Sequence, residues 1–139
     1  MDIYTKTILR FASNIPNAER LKSPDVSITK RTAVCGSSMT VDLNIKNGKI
    51  EQIGLDIKAC ALGQASASIF AKNAIGLTLK EVQKLKNELI SFLKTGDFLI
   101  KTPFEDYKYL EPARSVPYRH DSILLVLDST EEGLNKWIH

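Results

Sequence analysis

The segment 39-MTVDLNIKNGKIEQIGLDIK-58 alternates apolar Met39, Val41, Leu43 and Ile45 with polar residues, and the alternation resumes at Ile53, Leu55 and Ile57 after Asn47-Gly48. A period of two interrupted by Asn-Gly predicts a β-hairpin with one buried face. That prediction constrains the rest of the chain, because an isolated hairpin is marginal in water and needs other elements to cover its apolar side. Helical spacing supplies them. An N-terminal helix is expected over about Ile3–Ser13, with Ile8, Leu9 and Phe11 as contacts, closed by Asn14-Ile15-Pro16-Asn17. Two more are expected after the hairpin, from about Leu62 to Ala74 and from Thr78 to about Lys94. The second of these has Glu81 placed for a capping box. A last helix over about Asp121–Trp137 offers Ile123, Leu124, Leu127, Leu134 and Trp137 for burial.

Between these elements, Ala18–Lys30 carries Pro24 and little periodicity and reads as an irregular connection. Gly96 to Pro117 reads as a long connector tacked down by Phe98, Phe104, Tyr107, Tyr109 and Leu110. The expectation is one α+β domain over residues 1–139, a small antiparallel β-sheet packed against helices. A chain of 139 residues can build such a core without a staple. Nineteen basic and sixteen acidic side chains leave a net charge of +3, spread along the chain, which gives no footprint for nucleic acid. No apolar run approaches the roughly 20 residues of a membrane span. The opening MDIYTKTILRFASN lacks the apolar core and cleavage site of a secretory leader, so a cytoplasmic location is expected. In that compartment two cysteines are expected to be thiols, ligands or nucleophiles rather than a permanent disulfide.

The hairpin places those cysteines. A strict two-residue turn sets Cys35 opposite Cys60, but it also sets Val41 opposite Gly54 and puts the apolar faces out of phase. A one-residue slip through a bulge restores the phase, with Val41 facing Ile53 or Leu55 and the cysteines one position off facing. In both registers Cys35 and Cys60 meet at the open mouth of the hairpin. Two buried small hydrophobes, a redox disulfide, or a shared metal or cluster are all compatible with that placement.

The pieces 34-VCGSSMTVDLNI-45, 57-IKACALGQASASIFA-71 and 119-RHDSILL-125 resemble the U-type iron–sulfur cluster assembly scaffolds, the family of the IscU and SufU proteins and the NifU N-terminal domain. The resemblance is nearest to the SufU-like branch, in which the second cysteine opens a Q-A-S-A-S helix. It implies a protein that is not an enzyme and that holds iron, zinc or a labile cluster, a 2Fe–2S cluster in particular. Cysteine desulfurase and other iron–sulfur assembly proteins are the implied partners. Cys35 and Cys60 match the first two of the family's three cysteines. Two departures stand beside the match. Cys35-Gly36-Ser37 replaces the family's C-G-D, and His120-Asp121 stands where a third cysteine follows a histidine.

His120 and Asp121 are competent metal ligands and would complete a mixed set, whereas the competing role for Asp121 is a helix N-cap. The IscU chaperone motif has no counterpart in 110-LEPARSVPY-118, so no chaperone is implied. A site with two cysteines also leaves room for ligands supplied across a homodimer. Two other functions fit the same residues: a persulfide relay working with the desulfurase, and a metal-free interaction module that keeps the scaffold fold. Arg114 and Arg119 read either as neighbours of an anionic site or as a solvated basic surface.

Overall fold

The computed structural model describes residues 3–33 and 36–137. Asn47 and Gly48 both take positive φ, 55° and 73°, as a type I′ hairpin turn requires. The turn joins β2 (Ser38–Lys46) to β3 (Lys49–Lys58). Both registers anticipated from the sequence are present in succession. Lys46 faces Lys49 and Ile45 faces Ile50 beside the turn. A bulge then takes up one residue of β3, and Leu43 faces Ile53, Val41 faces Leu55 and Met39 faces Ile57. The bulge lets a tight turn coexist with apolar faces in phase, and Met39, Val41, Leu43, Ile53 and Leu55 are all buried.

A third strand corrects the reading of Ala18–Lys30 as irregular throughout. β1 (Val26–Arg31) pairs antiparallel with β2, giving the order β1-β2-β3. Only Ile28 of β1 is fully buried, so the stretch carries too little apolar alternation to announce itself. The preceding residues wrap the face of the sheet opposite the core. The Leu55 amide donates to the carbonyls of Asn17 and Glu19, at 2.9 and 3.1 Å, and the Leu21 amide donates to Asp42 Oδ2 at 3.0 Å. Gly54 permits this approach. A Cβ there would lie 2.6 Å from the Glu19 carbonyl oxygen and 2.9 Å from the Leu21 nitrogen, both backbone atoms. Gly54→Ala is therefore expected to cost about 1–3 kcal/mol, as overpacking does, read as a lowered urea midpoint. An unchanged midpoint would show that the strap yields freely.

The helices cover the other face. α1 (Lys6–Ser13) is capped by Thr5, whose hydroxyl accepts the Ile8 amide at 3.1 Å. α2 (Ala61–Ala71) is buried along almost its whole length, and α3 (Leu79–Thr95) begins with the expected Thr78–Glu81 capping box. Gly96, left-handed at φ 86°, ends α3. The connector then forms 3₁₀ turns over Glu105–Ser115 and Pro117–Arg119, with Tyr107 and Leu110 fully buried and Phe104 stacked on Phe70. α4 (His120–Trp137) packs on α2, α3 and the sheet.

Three expected core contacts are corrected. Leu9 is 46% exposed, Trp137 is 47% exposed, and Tyr109 lies on the surface. Leu9 sits on the outer side of α1, whose fully buried residue is Ile8. The α4 face that would bury Trp137 crosses the sheet at Gly133, against Val26, Ile28 and Leu43. Val26 is the first residue of β1, and Trp137 is the last of α4, one turn beyond this crossing. Tyr109 instead leans on Phe11 from outside, ring centroids 6.2 Å apart.

Candidate functional site

Cys60 stands where the hairpin's open end meets α2. β3 ends at Lys58, and Cys60 is the extended N-cap of α2, with φ −65° and ψ 167°. Its side chain makes no capping hydrogen bond, and the residue is half-buried. The thiol is thus held at a helix N-terminus without being consumed by it.

The small residues that follow Cys60 have a definite partner. A Cβ on Gly63 would lie 3.1 Å from the Ser122 carbonyl oxygen and 2.9 Å from the Ala59 Cβ, so glycine admits the first turn of α4. One helical turn on, Ser66 Oγ donates to the Ile123 carbonyl at 2.6 Å. The buried Tyr107 hydroxyl donates to the Ser66 carbonyl at 3.0 Å, and burial pushes the phenol's pKa well above its ordinary value. Tyr107→Phe removes this donor, and a loss of about 1 kcal/mol in unfolding free energy is expected. No change on denaturant titration would contradict the assigned bond.

Cys35 lies outside the described residues, and so does its pairing with Cys60. The connection that contains it is closed by Thr32 and Ser37. The Thr32 amide donates to the Ser37 carbonyl at 2.8 Å, and the Ser37 amide donates to Thr32 Oγ1 at 3.1 Å. Ser37 is only 2% exposed, and its hydroxyl lies 2.8 Å from that of Ser122. Ser122 therefore touches residue 37 on one side and Gly63 on the other. Three positions far apart in sequence, Ser37, Gly63 and Ser122, thus meet at one place.

The helical period divides the C-terminal segment. Ser122 and Ile123 face α2, whereas His120 and Asp121 line a groove of about 510 Å³ with Ile90, Leu93, Lys94 and Arg114. His120 Nε2 donates to the Ala113 carbonyl at 2.8 Å. Asp121 is exposed within the first turn of α4. It is not the N-cap, because the 3₁₀ turn Pro117–Arg119 runs directly into a helix that starts at His120. A carboxylate in a first turn complements the helix dipole. Among the described residues, no three His, Cys, Asp or Glu side chains are grouped to hold a metal, and Cys60, His120 and Asp121 form no such set.

Arg119 turns the other way, to Cys60. Its guanidinium carbon lies 5.7 Å from the centroid of the Tyr4 ring and 5.5 Å from that of Tyr118. A hydrogen bond to Tyr118 raises its pKa above the ordinary value, and Tyr4 and Cys60 act in the same direction against the effect of burial. Arg119 therefore lies beside Cys60. Tyr4 and Tyr118 had no sequence signal, since neither belongs to a motif or an apolar period.

The profile of the NifU-like N terminal domain matches residues 3–97. Across 96% of this chain and 94% of its own length, the iron–sulfur cluster assembly scaffold protein IscU of Thermotoga maritima is 22% identical. The IscU 1 scaffold of Archaeoglobus fulgidus is 26% identical over 64% of this chain and 58% of its own. Among solved structures, the N-terminal part of a nitrogen-fixing NifU-like protein from Brucella abortus superposes with a TM-score of 0.91 at 37% identity, covering 96% of this chain and 93% of that one. A putative SUF-system scaffold from Fervidobacterium islandicum shares the fold, with a TM-score of 0.84 at 18% identity, over 95% and 96% of the two chains.

Proposed function

We propose that this chain, which belongs to the NifU-like N-terminal domain family, is an iron–sulfur cluster assembly scaffold that receives iron and sulfide as cargo at Cys60 and Cys35. The observation that carries the reading is the meeting of Ser37 and Gly63 on Ser122, with the Cys60 thiol making no capping bond at the N-terminus of α2. Thiolates are suitable donors for iron, zinc and 2Fe–2S clusters, and two of them leave coordination positions to fill. The bond from His120 Nε2 to a carbonyl suits a ligand, since metal-bound histidines commonly donate their second ring N–H in this way. Asp121 offers exposed carboxylate oxygens. Either residue would join Cys60 only after the first turn of α4 rotates, and a second copy in a homodimer is the other source of donors.

In this reading residues 1–139 act as one domain with no catalysis of their own. The setting is the cytoplasm, where a cysteine desulfurase delivers the sulfur and other assembly proteins take the product. No described helix is long and apolar enough to cross a membrane. Anaerobic incubation with ferrous iron, cysteine and a desulfurase tests the proposal through visible absorbance and bound iron and acid-labile sulfide. Stoichiometric iron and sulfide are expected. Sulfur on a cysteine without iron, seen by mass spectrometry, would replace the scaffold with the persulfide relay, and neither product would leave the metal-free interaction module.

A further inference from the structure

The residues around Cys60 include a cation that no ligand set requires. Arg119 is aimed by two aromatic faces, Tyr4 ahead of α1 and Tyr118 within the 3₁₀ turn before α4. Its Nε is buried and has no hydrogen-bond partner, while the rest of the guanidinium hydrogen-bonds Tyr118 and Cys60. Cation–π contacts on two rings hold a guanidinium in place while leaving its N–H donors in the ring plane for another acceptor. The nearby sulfur lies at the N-terminus of α2, where unpaired backbone amides also favour negative charge.

We infer that Arg119 is the anion-holding residue of the Cys60 site, a fixed counter-charge that draws anionic sulfur species to this thiol and orients them there. Tyr4 and Tyr118 are positioning residues that act through Arg119. This inference rests on the proposed scaffold role for its physiological cargo, but the electrostatic assignment stands on the contacts of Arg119 with Tyr4, Tyr118 and Cys60. It explains why a chain with neither the family's aspartate at position 37 nor its third thiolate at position 121 can still favour one cysteine over bulk solvent. Fewer anionic ligands leave this cation less neutralised, so the incoming group brings the balancing charge.

The test needs no metal. In a Cys35→Ala background, Cys60 is the only thiol, and its alkylation rates by anionic iodoacetate and neutral iodoacetamide are compared. Their ratio cancels the thiolate fraction common to both reagents and reports the local potential. Arg119→Gln is expected to lower the iodoacetate-to-iodoacetamide ratio by about threefold, the effect of one unit charge at close range in a wet site. Arg119→Lys should retain most of the ratio, and high salt should bring the parent protein towards the Gln variant. Tyr118→Leu should fall between them. An unchanged ratio in Arg119→Gln, with circular dichroism showing an intact fold, would overturn the assignment. A lowered ratio in a protein that binds no iron would uphold it while rejecting the scaffold role.

Discussion

Asp42→Ala is expected to lower the free energy of unfolding by about 3 kcal/mol, with a urea midpoint shifted to match. Asp42 has no exposed surface, and its carboxylate accepts four hydrogen bonds: Arg20 Nε at 2.6 Å, Arg20 Nη2 at 3.1 Å, the Leu21 amide at 3.0 Å and the Ser27 hydroxyl at 2.5 Å. Breaking a buried charge pair from one side costs about 3–5 kcal/mol, because the remaining partners stay desolvated and unpaired. Arg20 is 52% exposed and regains water, which puts the effect at the lower end of that range. The Leu21 amide and the Ser27 hydroxyl carry most of the loss.

The same carboxylate makes stability depend on pH. Burial alone would push the Asp42 pKa up, and it is the largest single influence. The hydrogen bonds from Arg20, Ser27 and Leu21 together outweigh it and hold the pKa below the ordinary aspartate value. A group whose pKa is depressed on folding contributes its full stability above its unfolded pKa of about 3.9. That contribution is lost as pH falls through the lower folded value. Between pH 5 and pH 2 the parent protein should therefore lose more stability than Asp42→Asn, which has no carboxyl to protonate. Parallel acid profiles for the two proteins would contradict the depressed pKa.

Asp42 also shows what the sequence could and could not reveal. The hairpin, the α3 capping box and the Asn-Gly turn were legible because each is set by residues within a few positions of one another. Alternation assigned Asp42 to the solvent face of β2, correctly as to side. The burial comes from Arg20 and Leu21, more than twenty positions away, which no local pattern encodes. β1 was hidden for another reason: Ser27, Thr29 and Arg31 on its outer face are exposed and Ile28 alone is fully buried, so the strand has little apolar alternation to show.

At the candidate site, the hairpin arithmetic located Cys60 and its helix. It could not divide the first turn of α4, where one residue of rotation sends Ser122 to α2 and Asp121 to the α3 groove. At the Ala-Gly-Ser run, what approaches the backbone is the Ser122 carbonyl. The aim of Arg119 depends on Tyr4, which lies 115 positions away in sequence and joins it only through the packing of α1 and α4 on α2.

Cys60→Ser is expected to separate folding from cargo. Serine is a better N-cap than cysteine, and the Cys60 side chain makes no capping bond that the change would break. Stability should hold or rise by up to about 1 kcal/mol. A hydroxyl is a poor ligand for soft metal centres, so bound iron and acid-labile sulfide should fall to background. Loss of both stability and loading would instead give Cys60 a packing role. Retained loading would place the site elsewhere on the chain.

The most direct measurement is the metal and sulfide content of freshly purified protein, taken anaerobically, beside that of Cys35→Ala and Cys60→Ala. The account predicts iron or zinc, with sulfide when a cluster is present, in the parent protein and its loss from both variants while their circular dichroism is unchanged. Equal metal in all three proteins, or none in the parent even after reconstitution, would contradict it.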